Sequence, residues 1–418
     1  MLRYGSKTEH PMANFRFNNI VFIGKTWPDS SASAAGTRIL DIIGVLKPHS
    51  ETVHFASSAI RQDTCDRLDD LVCHNIELNH DSFNDWITEI NPDLVIFDRF
   101  MIEEQFGWRV SQCCPKAIRV LDTSDFHGLR HAREQAIKSG GTPDIFNDIS
   151  LREYAAIARC DLTLMISNYE VTLLTDQFSI SRDCLWHLPF LQKAPDRQSV
   201  NGFAGRNHVM FVGGFKHAPN VDAVRWLYNA IWPLVRKQLA DVECHIYGPY
   251  APESITQLHQ PKKGFFIKNR AEDIRITMQN YRLNLATLRY GAGNKGKVID
   301  GWVTGTPTIT TQIAAEGMSG NTNLLPRPSD EPESIARQII TLFTDEPAWN
   351  NARDRGIELL LENNDPSLHA ELLIQKLTDI SDNLDNYRHR NMLGRLLQKQ
   401  QFRAEEYMSR WIDLKNRQ

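Results

Sequence analysis

Short apolar runs, each about the length of one strand, recur along most of this chain, and a helical pattern follows nearly every one. The first half carries NIVFIGK from Asn19, ETVHFASSA, PDLVIFD and AIRVLD; the second carries HVMFVGGF, VECHIYGPY, LNLATL and TPTITT. Runs that are apolar throughout belong to strands covered on both faces, and parallel pairing of such strands requires a crossover helix between them. The chain is therefore expected to be α/β with parallel sheets. The pattern lapses once, in CLWHLPFLQKAPDRQSVNGFAGRN, where proline, glycine and polar residues replace it. A linker near Pro189 to Asn207 then divides two doubly wound domains, for which 418 residues are enough.

Charge and cysteine usage narrow the setting. A net charge of -4 gives no general attraction to nucleic acid. The seven cysteines, including the adjacent Cys113 and Cys114, follow neither metal-ligand nor disulfide-framework spacing and read as reduced thiols of a cytoplasmic protein. No apolar run has the length of a membrane span, and residues 1–18 lack the apolar centre of a secretion signal, so they read as a polar leader.

The most informative stretch runs from Thr287 to Met318, TLRYGAGNKGKVIDGWVTGTPTITTQIAAEGM. A strand leads into Gly291, Gly293 and Gly296, a helix starts near Lys295, and Gly305 with Pro307 ends that helix ahead of a further strand. Glycines let backbone approach a ligand, and a helix start presents free N–H groups and a positive dipole end. With Arg289, Lys295 and Lys297 around the same turn, the expected ligand is a phosphate or diphosphate. Gly213 and Gly214 close another strand and form a second turn suited to a phosphate.

In the first half, Ser33 to Gly36 form a compact small-residue turn ahead of a helix, either a ligand site or simply a tight turn. Asp98 ends one strand, where ligands bind in open α/β sheets. Asp122, Asp125, His127 and Arg130 lie within nine residues after the next strand. They suit proton transfer and acceptor orientation, or else helix capping with a solvated histidine. Glu153 reads as a surface or capping carboxylate.

FVGGF, PNVDAV, IWPLV, NRAED, LRYGAGNKGKVID, GTPTITT and AAEGM, in this order, resemble the C-terminal domain of GT-B glycosyltransferases of the family 4 type. REYAAIARCDLTLMISNYEVTLL resembles the end of their N-terminal domain. The resemblance implies two Rossmann-like domains facing across a cleft, 19–195 for the acceptor and 206–365 for the nucleotide-sugar donor. It implies sugar transfer with retention at the anomeric carbon, without metal or cofactor, the nucleotide-sugar being a substrate. Carried over by position, Arg289, Lys295, Lys297, Gly213, Gly214, Gly291, Gly293 and Glu316 would bind the donor, and Asp300 its ribose. Asp125 and His127, with Arg289 and Lys295, would be the catalytic groups; Gly36, Asp98 and Asp122 would line the cleft. The first glutamate of the family's two-glutamate motif is replaced by Ala292, and Pro219–Asn220 replace a frequent lysine–glycine. A GT-B epimerase acting on a nucleotide-sugar is the alternative enzyme, and the missing glutamate permits a nucleotide-sugar-binding pseudoenzyme. The acceptor stays open among saccharides, lipid-linked glycans, proteins and metabolites.

Residues 366–418 form a helical extension. From Asp385 it carries eight Lys or Arg against four Asp or Glu, with Leu393, Leu396, Leu397, Tyr407, Met408, Trp411 and Leu414 at helical intervals. Packing back onto the first domain is the plainer expectation; a basic amphipathic face for peripheral contact with the inner membrane surface is the sharper one.

Overall fold

The computed structural model describes residues 16–29, 34–62, 68–318 and 324–416. Most of the expected leader and Ser33 lie outside these residues. The first sheet contains β1 (Phe17–Gly24), β2 (Ser50–Ser57), β3 (Val72–Asn75), β4 (Leu94–Asp98), β5 (Ile118–Asp122), β6 (Leu162–Met165) and β7 (Leu185–His187). All pair in parallel, in the order β3-β2-β1-β4-β5-β6-β7. The second contains β8 (Asn207–Val212), β9 (Cys244–Tyr247), β10 (Phe265–Asn269), β11 (Tyr281–Ala286) and β12 (Thr308–Thr310), parallel in the order β10-β9-β8-β11-β12.

Both sheets change winding direction beside their first strand, between β1 and β4 and between β8 and β11. At such a point neighbouring loops part and leave a crevice at the carboxyl ends of the strands. Each sheet is covered on both faces, as its apolar strands require: Phe22, Phe55 and Ile96 meet helix 34–46 on one side of the first sheet, while Val95, Phe97 and Leu121 face the other. Two short strands escape the sequence pattern. β3, VCHN, is a half-exposed edge strand with no apolar run, and β7 is three residues at the start of the stretch where the pattern lapses, just ahead of the linker.

The run KHAPNVDAVRWLYNAIWPLVRKQL reads as one helix but is interrupted. An α-helical stretch, Ala218–Trp226, passes through a π-helical turn, Leu227–Ile231, into Trp232–Arg236. Pro233 explains the widening, because it has no N–H to donate and its ring displaces the carbonyl four residues back.

Beyond helix 346–363 the chain returns to the first domain. Leu373, Leu377 and Ile380 join the same core as Phe22 and Val53. Arg388 then locks the crossing: it grips Asp161 with two bonds, at 2.8 and 2.7 Å, and donates to the carbonyls of Pro115 and Ala117. The extension is thus built into the first domain. Arg388→Ala strips this pair from a nearly buried Asp161 and is expected to destabilise the protein by about 3 kcal/mol, read as a lower urea midpoint. The six described cysteines are all free thiols.

Candidate active site

The glycine-rich loop after β11 forms the donor side of the cleft. Gly291 and Gly293 have positive φ, +153° and +66°, and Lys295 is the N-cap of helix Gly296–Val303. The Lys295 side chain is 9% exposed and curls back to the carbonyls of Ala292 and Gly293. Burial pushes its ammonium down against the pull of Glu316 and Glu170. Lys297 donates to Asn220 Oδ1 at 2.8 Å and lies over the Phe211 ring at 3.9 Å. Burial and then Lys295 push it down to about 7. Among the described residues neither ammonium forms a direct ion pair, although Glu316 and Glu170 act on Lys295, so the two together form a place where an anion would be stabilised.

The Gly213–Gly214 turn belongs to the same cluster. A Cβ on Gly213 would come within 2.5 to 2.7 Å of the Asn220 side chain, and Asn220 Nδ2 donates to the Gly214 carbonyl at 2.9 Å. Asn220, at a position where the family resemblance leads one to expect another residue, therefore ties the turn to Lys297. Arg289 is held by a carboxylate two residues beyond Asn220. It forms a two-bond pair with Asp222 and is 38% exposed. Asp300 is likewise engaged, accepting from Arg275 Nε at 2.9 Å.

Across the cleft, His127 Nδ1 sits 2.9 Å from Glu153 Oε1, and the other oxygen of Glu153 accepts the Gly128 N–H at 2.7 Å. Glu153 is fully buried, which corrects its reading as a surface group, while its bond to Gly128 N–H caps the first turn of helix 127–139. This arrangement fixes the imidazole and leaves Nε2 as the ring's outward nitrogen. Burial alone would lower His127, but Asp125 and Glu153 outweigh it and raise it. Asp125 pairs with Arg130 and lies 3.5 Å from His127 Nδ1. Although burial opposes ionisation there, Arg130, His127 and His217 hold its carboxyl well below the usual range. The cluster is thus more than a capped helix.

Asp122 does not line an open cleft. It is 1% exposed and bound to Arg38 at 2.7 and 2.8 Å, which joins helix 34–46 to β5. Asp98 accepts the Lys25 N–H at 3.2 Å and stays at the strand end. Arg99 beside it and Ser124 after β5 both have positive φ, +76° and +61°, so strained backbone flanks this side of the cleft. Gly36 is a packing glycine, since a Cβ there would overlap the Asp29 backbone.

The two domains touch through Glu170 and Arg133, two residues of the first domain that carry no signal in the sequence. Glu170, fully buried, accepts from Phe126 N–H in its own domain and from Gly293 N–H at 2.6 Å in the other. Arg133 reaches Glu316 with both terminal nitrogens, at 2.8 and 2.7 Å, and donates to the Gly291 carbonyl at 2.8 Å. Glu316 therefore meets the other domain directly. A Cβ on Gly293 would lie 2.8 Å from Asp125 Cβ, one on Gly296 would lie 2.8 Å from Ala34 Cβ, and one on Gly317 would overlap Ser167 Oγ. These loop glycines serve domain approach, where the sequence alone suggested only ligand approach. Ala292 packs among the apolar groups of the first domain, so a glutamate at that position would bury a charge there. His217, placed by the Gly213–Gly214 turn, feels both Asp125 and Arg130; burial and then Arg130 push it down to about 4. A single histidine in a long loop carries no sequence signal for this position. Among the described residues no group of three or more His, Cys, Asp or Glu could hold a metal ion.

Two parallel α/β domains meeting at their switch points, with a buried lysine pair on one side and a histidine–carboxylate pair on the other, have the architecture of the GT-B fold. Residues 206–345, the second domain, match the family model described as glycosyl transferases group 1. Among solved structures the chain is similar to a glycosyltransferase from Rickettsia africae (12% identity, TM-score 0.65, covering 88% of this chain and 99% of that one). It is similar also to sucrose-phosphate synthase from Thermosynechococcus elongatus (11%, 0.64, 87% and 99%) and to Anabaena HepE in complex with UDP and glucose (13%, 0.63, 87% and 100%). At such identities these likenesses speak for the fold. No curated protein matches the chain in sequence.

Proposed function

We propose that the protein transfers a sugar from a nucleoside-diphosphate sugar to an acceptor hydroxyl held by the first domain, with retention and without a metal. The observation that carries this reading is the convergence of Lys295, Lys297, the start of helix 296–303 and the Gly213–Gly214 turn opposite the His127–Glu153 pair. Cleavage of the sugar–diphosphate bond builds negative charge on the leaving oxygen. Fixed cations and N–H dipoles stabilise it without having to reorganise. Lys297, poised near neutrality when the site holds no anion, gains full charge as the diphosphate arrives. The neighbours crystallised with UDP and UDP-glucose make a uridine donor the first to try.

His127 is proposed to receive or orient the acceptor hydroxyl through Nε2, with Glu153 as its positioning residue. The raised imidazole predicts a pH dependence. If the neutral ring takes the proton, kcat/KM rises as pH climbs through the raised pKa. Glu153→Gln removes a carboxylate that favours the imidazolium, so this acid limb is expected to move to lower pH. An unmoved limb would take His127 out of the proton transfer. The same raised pKa stabilises the fold below the ordinary histidine range, and that contribution disappears as pH rises through the folded value.

The function is tested by incubating the protein with a panel of nucleotide-sugars, with EDTA present, and measuring nucleotide release and the anomer formed. Release that vanishes in Lys295→Ala supports the reading. Isomerised donor without release, or tight donor binding with neither, overturns it.

A further inference from the structure

The last helix, Met392–Asn416, is mounted with its polar side against the protein and its apolar side outward. Among the described residues, the inward contacts of this helix and of Asn391 just before it are polar: Asn391 and Gln398 donate to the carbonyls of Ala158 and Arg159 at 2.8 Å, Arg109 reaches Ser409 Oγ at 3.0 Å, and Gln112 reaches Glu406 at 3.0 Å. Gly394 permits this closeness, since a Cβ there would overlap the Ala158 carbonyl. Leu393, Leu396, Tyr407, Trp411 and Leu414 are between 41% and 68% exposed and lie on the opposite arc. A surface helix of a water-soluble domain normally has the reverse arrangement.

Charge on the helix is sorted in the same way. Lys415 is exposed on the apolar arc and Arg410 beside it, while Lys399 and Arg403 are exposed along its flank, at the rim of a groove that Glu406 and Gln112 also line. The helix carboxylates turn elsewhere: Asp413 is 8% exposed, Glu406 holds Gln112 and Arg410, and Glu405 is half-buried toward the first domain. Among the described residues no acidic side chain of this helix is fully exposed on its outer side. The outer side is therefore apolar and cationic, with tryptophan and tyrosine within it.

We infer that this face binds an anionic bilayer surface, the helix lying in the plane of the interface. Basic stems can extend their charges to headgroups while the apolar arc enters the acyl boundary, and tryptophan and tyrosine favour that depth. No helix among the described residues is long and apolar enough to cross a membrane, so the contact is peripheral. A protein partner would meet such a face with a matching acidic groove; a bilayer needs only a straight, exposed helix, about 37 Å long at 1.5 Å per residue, with no acid facing out. The inference stands independently of the sugar-transfer chemistry.

The test is co-sedimentation of the full-length protein with vesicles of phosphatidylcholine alone or mixed with phosphatidylglycerol. Wild-type protein is expected to bind the mixed vesicles and to be released by salt. Trp411→Glu with Leu414→Glu should weaken binding by more than about tenfold, and Lys399→Gln and Arg403→Gln by about fivefold each, with unchanged circular dichroism. The proposal is overturned if wild-type protein ignores anionic vesicles, or if the variants bind as well as it does. It is also overturned if Trp411→Glu instead dissociates a lipid-free dimer, which would make the face a contact between copies.

Discussion

Lys295→Ala is expected to lower kcat/KM for the nucleotide-sugar by about 10²- to 10³-fold, the usual cost of removing one fixed group that stabilises charge developing in a transition state. Arg289→Ala, by contrast, should change it by less than about tenfold and leave stability nearly unchanged, since exposed ion pairs contribute only about 0–1 kcal/mol. Sequence spacing treats these two cations as equals. In the fold, Lys295 is nearly buried at the head of helix 296–303, while Arg289 is spent on Asp222 at the surface. Steady-state kinetics of the two purified variants decide the matter. Equal losses would mean that Arg289 leaves Asp222 when donor binds; no loss in Lys295→Ala would remove the lysine from catalysis.

The second large effect is expected at Gly293. An alanine there costs about 1–2 kcal/mol for the left-handed backbone alone. It also drives a methyl against Asp125, whose Cβ lies 2.8 Å from the ideal Cβ position. The loop must then withdraw from the first domain, breaking the Gly293 N–H bond to Glu170. Displacement of reacting groups by about 1 Å can cost about 10²-fold in rate, so kcat should fall by that order while donor affinity, set within the second domain, changes far less. Gly140→Ala is the control: it also has positive φ, +71°, but a Cβ there meets nothing within 4 Å. It should carry the backbone cost and keep kcat. A parallel loss of kcat in both variants would refute a special role for approach at Gly293.

Much of the architecture could be read from residue order because it depends on local patterning. Continuous apolar runs mark strands covered on both faces, and the two-domain parallel scheme follows. β3 and β7 were not legible, as edge strands of three or four residues leave too little pattern. The π-helical turn at Leu227–Ile231 was hidden for a different reason: Pro233 announces a disturbance but not whether the helix will end, bend or widen.

At the site, sequence alone determined which residues could meet an anion and that the strand–glycine–helix order would present them at a helix start; Lys295 and Lys297 are there because that order is local. Only tertiary structure decided which charges are spent. Arg289 goes to Asp222, Asp300 to Arg275, Asp122 to Arg38 and Glu316 to Arg133, while buried Glu153 is recruited to His127 from another helix. Ion pairing and burial depend on groups far apart in the chain, between 25 and 183 residues for these pairs, and no local spacing encodes them.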